Sequence, residues 1–134
     1  MIDLTQDEQI ALTVRIMETL DSWGMSSAEI ISLIALPEKT PTRALRRYRE
    51  NTAFPLSPEL EERINHIIGI TDALRTSYPH NPHMGKMWMR QRSKKLNNQI
   101  PLQIITENGL QGIVEIRKHL DCSYDWHSDK REPR

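Results

Sequence analysis

The stretch SSAEIISLIALPEKTPTRALRRYRE, residues 26–50, contains the start and end signals of two short helices. Ser26 and Glu29 have the spacing of a capping box, in which each side chain satisfies a backbone N–H that the first turn of a helix leaves free. The apolar residues that follow predict a mostly buried helix of about nine residues, which ends before Pro37.

The second helix of this stretch begins at Thr40-Pro41. A threonine cap followed by a proline in the first turn favours a helix start, and we expect the helix to end near Glu50. Residues 36–39 then form a turn of about four residues between the two helices. Two short helices joined in this way have the outline of a helix-turn-helix, whose second helix enters the major groove of DNA.

This second helix separates its charged residues from its apolar ones. At about 100° per residue, one arc of about 160° carries four arginines, and the opposite arc carries small and apolar residues such as Leu45. A solvated amphipathic face gives the same separation, but such faces usually mix both signs of charge, and Glu50 is the one acid in this helix. Guanidinium groups on a free face fit guanine edges and phosphates. The predicted DNA-binding residues are Lys39, Thr40, Thr42, Arg43, Arg46, Arg47 and Arg49.

Further helices are predicted on both sides of this pair. Thr5 and Glu8 repeat the capping-box spacing, and apolar residues at steps of three and four predict a first helix over residues 6–22. On the other side, Ser57-Pro58 starts the longest helix, which runs to about residue 78.

Pro79 and Pro82 interrupt the chain within residues 77–83, which is the best candidate for a boundary between two halves. Three shorter helices are predicted beyond it. Aromatic residues make up 5% of the chain and no alternating apolar–polar run of strand length occurs, so we expect an all-α fold of about seven helices. The predicted parts are a helix-turn-helix region over 1–78, a small helical domain over 79–121 and a polar tail over 122–134.

The net charge of zero hides a segregated pattern. Residues 1–38 contain one basic and seven acidic residues, whereas residues 39–50 contain five basic residues and one acid. Residues 86–99 contain five basic residues and no acid. This sorting predicts two contacts with anionic partners, or one contact and one solvated face, and it also permits protomers to attract one another.

Operator DNA is therefore one expected partner. A single pair of short helices buries too little surface for tight specific binding, so we expect a homodimer on two half-sites about one DNA turn apart.

Beyond residue 86 a series of spaced small and apolar residues surrounds an asparagine loop. In order, these residues are Trp88, Leu96, Asn97, Pro101, Leu102, Ile105, Gly109, Val114 and Leu120. The series resembles the toxin-binding domain of Xre/MbcA/ParS antitoxins, in which a Trp helix is followed by an Asn-bearing loop, a Pro-Leu helix start, a Gly-centred turn and a final helix. The preceding half is similar to the Xre-type helix-turn-helix, so the resemblance covers about residues 10–121.

The resemblance implies an antitoxin of a type II toxin-antitoxin pair. Its partner would be a RES or related ADP-ribosyltransferase-like toxin that uses NAD, and the antitoxin would block access to the nucleotide pocket and repress its own promoter. Trp88 is expected to be mainly a core anchor. The residues expected to meet the toxin are Arg90, Arg92, Lys94, Lys95, Asn97, Tyr124 and Trp126.

The sequence contains little that indicates a catalytic site or a metal-binding site. His80 and His83 have no cysteine or carboxylate close by at ligand spacing, and Cys122 beside His119 has no evident oxyanion loop. The five glycines are scattered and form no phosphate-binding loop. We therefore expect a chain that is not an enzyme, with no catalytic residues, no metal and no cofactor.

The single cysteine cannot form an internal disulfide, and neither a signal peptide nor an apolar run of about 20 residues is present. The expected location is cytoplasmic, with no membrane partner. Two other functions stay open: a stand-alone helix-turn-helix transcription regulator without a toxin, and a structural bundle in which both basic segments are solvated faces.

Overall fold

The computed structural model describes residues 4–37 and 39–130, with side chains as far as residue 121. These residues form seven α-helices, two 3₁₀ turns and no β-strand, although a single antiparallel bridge joins Ser93 and Gln99. The predicted all-α fold is confirmed. The helices are α1 (Gln6–Ser22), α2 (Ser27–Leu33), α3 (Leu45–Glu50), α4 (Pro58–Ser77), α5 (Pro82–Arg90), α6 (Pro101–Asn108) and α7 (Leu110–Lys130), and the 3₁₀ turns are Thr42–Ala44 and Lys94–Leu96.

The chain divides into two compact units, Met1–Ile64 and Asn65–Arg134, and the division falls within α4. We call them unit 1 and unit 2. The predicted boundary after residue 78 instead separates α4 from α5 inside unit 2. Within unit 2, α4 contacts α7: the guanidinium of Arg117 donates to the Asn65 carbonyl at 3.5 Å and lies 3.2 Å from His66 Nδ1.

In unit 1, both predicted capping boxes form. The Thr5 hydroxyl accepts from the Glu8 backbone N–H at 3.2 Å, and the Glu8 carboxylate accepts in return at 3.0 Å. Hydrogen bonding from Thr5 to the Glu8 carboxylate, mainly from the backbone N–H and then from the side chain, lowers the pKa of Glu8. The corresponding hydrogen bonds between Ser26 and Glu29 start α2. The start of each helix is thus fixed by residues three apart, and the predicted span 6–22 of the first helix is confirmed.

The end of α2 differs from the prediction. The helix has seven residues and stops at Leu33, because Ala35 adopts a left-handed conformation with φ of 61°. The guanidinium of Arg63 donates to the Leu33 carbonyl at 2.8 Å and so satisfies one of the acceptors that the helix end leaves free. The described residues between α2 and the next helical segment are 34–37 and 39–41, so the connection is longer than the predicted turn.

Unit 2 contains the close packing of α6 against α7. Gly109, with φ of 59°, ends α6, and Gly112 lies in the first turn of α7. A Cβ atom at Gly112 would collide with the backbone carbonyl oxygen of Ile104, so only glycine permits this approach. The buried side chains of this unit include Met89, Ile104, Ile105, Ile113, Ile116 and Leu120.

The predicted polar tail is helical in its first part. The backbone of α7 continues as far as Lys130, so the segment from residue 122 extends this helix. Among the described residues, we find no helix that combines the length and the apolar character needed to cross a membrane.

Candidate nucleic-acid interface

The apolar side of the basic segment is packed within unit 1. Leu45 is fully buried, and the segment lies against α1 and, at its 3₁₀ start, against α2. The Tyr48 ring lies 5.0 Å from the Phe54 ring at a tilt of 55°. Phe54 is itself held by α1, since its backbone N–H donates to the buried Thr13 hydroxyl at 3.0 Å. These contacts fix the axis of α3.

The segment starts differently from the prediction. Thr40 does not cap it: Pro41 takes the cap position without a side-chain hydrogen bond, and the first residues, Thr42–Ala44, form a 3₁₀ turn. The proline is correctly placed next to the helix start, but the first regular α-helical residue is Leu45.

Arg49 is bound to a neighbouring helix. Its Nε and Nη2 atoms donate to the two carboxylate oxygens of Asp21 at 2.8 and 2.9 Å, and the two side chains are 37% and 39% exposed. The hydrogen bonds to Asp21 are also the main reason why the pKa of Arg49 is raised. The prediction placed Arg49 on the free side of the helix, whereas the structure ties it to the last turn of α1. Arg49 therefore fixes the C-terminal end of α3.

The remaining arginines point away from the core. Arg43, Arg46 and Arg47 are exposed, as is Thr42, and we call these four residues the α3 ridge. Arg46 lies 3.5 Å from Glu50 in an ion pair whose side chains are 85% and 60% exposed, so the pair is solvated and weak. Within the described residues, Arg43 and Arg47 form no ion pair.

The two predicted residues that precede the ridge differ in exposure. Lys39 is exposed and Thr40 is half-buried. Lys39 can therefore reach a ligand that contacts the ridge, whereas Thr40 is partly covered.

The second basic segment lies in unit 2. Residues 92–99, here called the unit-2 loop, form a tight turn in which the Ser93 N–H donates to the Gln99 carbonyl at 3.0 Å. The guanidinium of Arg92 donates to the Asn98 carbonyl at 3.0 Å and closes the turn. The exposed residues of this region that were predicted to meet a toxin are Arg90, Arg92, Lys94, Lys95 and Asn97.

Trp88 is half-buried and stacks on His119 of α7, with the ring centroids 6.1 Å apart and the planes at 18°. Burial is the main cause that lowers the pKa of His119; the charge of Lys95 lowers this pKa further, and Glu115 opposes the shift.

Most residues of the series that resembles the antitoxin family are buried or half-buried in unit 2. Leu96, Pro101, Ile105 and Leu120 are buried, and only Asn97 of the series is exposed, in a left-handed conformation with φ of 58°. The predicted contacts Tyr124 and Trp126 lie outside the residues whose side chains the structure describes, as does Cys122.

No group of His, Cys, Asp and Glu side chains that could hold a metal ion occurs in the described part of the chain. His80 and His83 are both exposed.

No protein-family model matches the chain, and no curated protein matches its sequence. The functional proposals below therefore depend on the geometry of the two basic surfaces and on the residue pattern of unit 2.

Proposed function

We propose that the chain is a DNA-binding regulator in which the α3 ridge enters the major groove. The observation that carries this proposal is the exposure of Arg43, in the 3₁₀ turn, and of Arg46 and Arg47, in α3, on a segment whose other side is fixed by Leu45 and Tyr48. A rigid axis lets each guanidinium group approach a guanine edge in a defined direction, which is what sequence reading requires.

The regulator acts as a homodimer in the cytoplasm. A segment of two helical turns reaches only a few base pairs, so specific binding needs two copies on half-sites about one DNA turn apart.

We also propose that this regulator is the antitoxin of a type II toxin-antitoxin pair and represses its own promoter. The support is the series of residues in unit 2 that resembles the toxin-binding domain of Xre/MbcA/ParS antitoxins. A RES or ADP-ribosyltransferase-like toxin is the proposed partner, and Arg90, Lys94, Lys95 and Asn97 are available to it because they are exposed. The second candidate is a regulator without a toxin, which the self-contained α3 ridge of unit 1 favours.

The DNA proposal is tested by mobility shifts with the DNA upstream of the gene. Arg43→Ala and Arg46→Ala are each expected to lose about 1–3 kcal/mol, roughly 5- to 150-fold in affinity, because each removes a guanine or phosphate contact. Arg15→Ala is the matched control, since Arg15 is an exposed arginine of α1 outside the basic segment. Equal binding by the wild-type protein and both ridge variants would contradict the proposal.

The antitoxin proposal is tested by co-expression with the product of the adjacent open reading frame. The expected result is co-purification of the two proteins and rescue of growth by this chain. If the neighbouring product is harmless with and without this chain, the antitoxin proposal is contradicted and the proposal of a DNA-binding regulator still stands.

A further inference from the structure

Unit 2 carries exposed basic residues on α5 and in the unit-2 loop, and the toxin proposal does not account for all of them. Lys86 and Arg90 are exposed and lie one turn apart on the same face of α5. Lys94 and Lys95 follow in the unit-2 loop and are also exposed. None of the four forms an ion pair with any described residue. Four exposed positive charges thus follow one another within ten residues of sequence, with no ion-pair partner among the described side chains.

The backbone that carries Lys94 and Lys95 is well fixed. The Asn98 N–H donates to the Ser93 carbonyl at 2.9 Å, in addition to the two contacts that close the turn. Leu96 between the lysines and the asparagines is buried and anchors the loop to the core of unit 2. The backbone that carries the two lysines is therefore held by contacts within the protein.

The chemistry of the exposed side chains distinguishes a phosphate ligand from a protein surface. Within residues 90–99 the exposed side chains are arginine, lysine, asparagine and glutamine, and the one apolar residue, Leu96, is buried. Cores of protein–protein interfaces are poor in lysine and rich in aromatic residues. Contacts to nucleic-acid phosphates come from the residue types found here.

We propose that Lys86, Arg90, Lys94 and Lys95 contact DNA phosphates, so that unit 2 adds sequence-independent affinity to the sequence-dependent binding of the α3 ridge. This inference rests on the proposed DNA binding of the chain but not on the existence of a toxin. Because each neutralised phosphate releases counterions, the contribution of unit 2 is visible as salt dependence.

The test uses the full chain and two duplexes of equal length, one with the upstream DNA sequence and one scrambled. Binding is measured by fluorescence anisotropy from 50 to 200 mM salt for the wild type and for Lys94→Gln/Lys95→Gln. Loss of two phosphate contacts should reduce the slope of log K against log salt by about 1.8 on both duplexes, so that the fall in affinity over this range becomes about tenfold smaller. The affinity ratio of the two duplexes should not change.

Two further variants make the test specific. Lys86→Gln/Arg90→Gln removes the two charges of α5 without touching the loop and should give the same change of slope. Arg15→Gln/Lys118→Gln removes the same net charge from exposed positions on α1 and α7 and should leave the slope near that of the wild type. Unfolding temperatures equal to that of the wild type establish that each variant is folded.

Loop and α5 variants whose slopes match the control variant would overturn the inference. If these variants also lose co-purification with the adjacent gene product, the surface binds protein instead. A wild-type chain without preference for the upstream duplex would contradict the α3 ridge proposal alone, since the scrambled duplex still tests the lysines.

Discussion

The α3 ridge and the unit-2 loop are both strongly basic, but they are held in different ways. The ridge depends on α1, which is distant in the sequence: Asp21 binds Arg49, and Thr13 holds Phe54, whose ring packs on Tyr48. The loop is fixed by hydrogen bonds among its own residues, between Ser93 and Gln99. The comparison shows that two segments of similar charge can be held by different kinds of contact, and our proposals for the two surfaces depend on this difference.

The two surfaces also differ in the acidic residues near their basic side chains. In the helical segment Asp21 holds Arg49, whereas the Arg46–Glu50 pair is solvated and weak, so Arg43, Arg46 and Arg47 stay available. In the loop region no acid occurs between residues 86 and 99. We therefore assign base reading to the ridge and phosphate binding to the loop region.

The largest expected effect comes from truncating the buried leucine beneath each basic surface, Leu45 or Leu96. Leu45→Ala should lower the free energy of unfolding by about 2–5 kcal/mol, because Leu45 is fully buried. It should also reduce the preference for the upstream DNA, since α3 loses its fixed axis. Leu96→Ala, the matched change under the loop, should destabilise the protein while the DNA preference stays unchanged. Urea unfolding measures the free energy of unfolding, and fluorescence anisotropy measures the preference for the upstream DNA. If Leu96→Ala loses this preference and Leu45→Ala keeps it, the assignment of base reading to the α3 ridge is contradicted.

The next effect concerns the backbone of the loop. Asn98 has a φ of 61°, in the left-handed region that glycine and asparagine tolerate better than alanine. Asn98→Ala should therefore cost about 1–2 kcal/mol of stability, whereas Asn98→Gly should cost little. Thermal unfolding compares the two variants. Equal stability of both would show that the loop conformation does not depend on this residue.

A smaller effect is expected at the Asp21–Arg49 pair. The pair is partly exposed, so Asp21→Asn should change stability by less than about 1 kcal/mol. Release of Arg49 should increase affinity for scrambled DNA, because the freed guanidinium can contact a phosphate. Arg49→Ala should lose less affinity for the upstream DNA than Arg43→Ala. Equal losses of affinity in these two variants would show that Arg49 contributes to binding of the upstream DNA as Arg43 does.

The smallest effect is a pH dependence at His119. Because burial lowers the pKa of His119, the folded protein keeps the ring neutral while the unfolded chain takes up a proton near pH 6.5. This stability contribution is complete above that pH and is lost as the pH falls through it towards the lower folded-state pKa. The unfolding temperature should therefore drop less between pH 8 and pH 5 in His119→Gln than in the wild type. His83→Gln, at an exposed position, is the control and should behave as the wild type does.

The predictable parts of the fold depend on short-range contacts. The capping boxes at Thr5 and Ser26 involve residues three apart, so their hydrogen bonds follow directly from the sequence. The apolar side of α3 was also predictable, because Leu45 and Tyr48 share one arc of a helical wheel.

The parts that could not be predicted depend on conformations or partners without a local signal. Alanine rarely adopts the left-handed conformation, so nothing at Ala35 indicated where α2 would end. The pairing of Arg49 joins residues 28 apart, and the contact of Arg117 with Asn65 joins residues 52 apart. The first removes Arg49 from the exposed side of the basic segment, and the second joins α4 to α7 within unit 2.

The central claim is tested most directly by the ratio of affinities for the upstream and scrambled duplexes. Specific DNA-binding proteins show ratios of about 10³ or more, and we expect such a ratio for the wild type. Arg43→Ala/Arg46→Ala/Arg47→Ala should bring the ratio close to one, while Lys94→Gln/Lys95→Gln should weaken binding to both duplexes and keep the ratio. A triple ridge variant that is folded and retains the wild-type ratio would contradict the claim that α3 reads DNA.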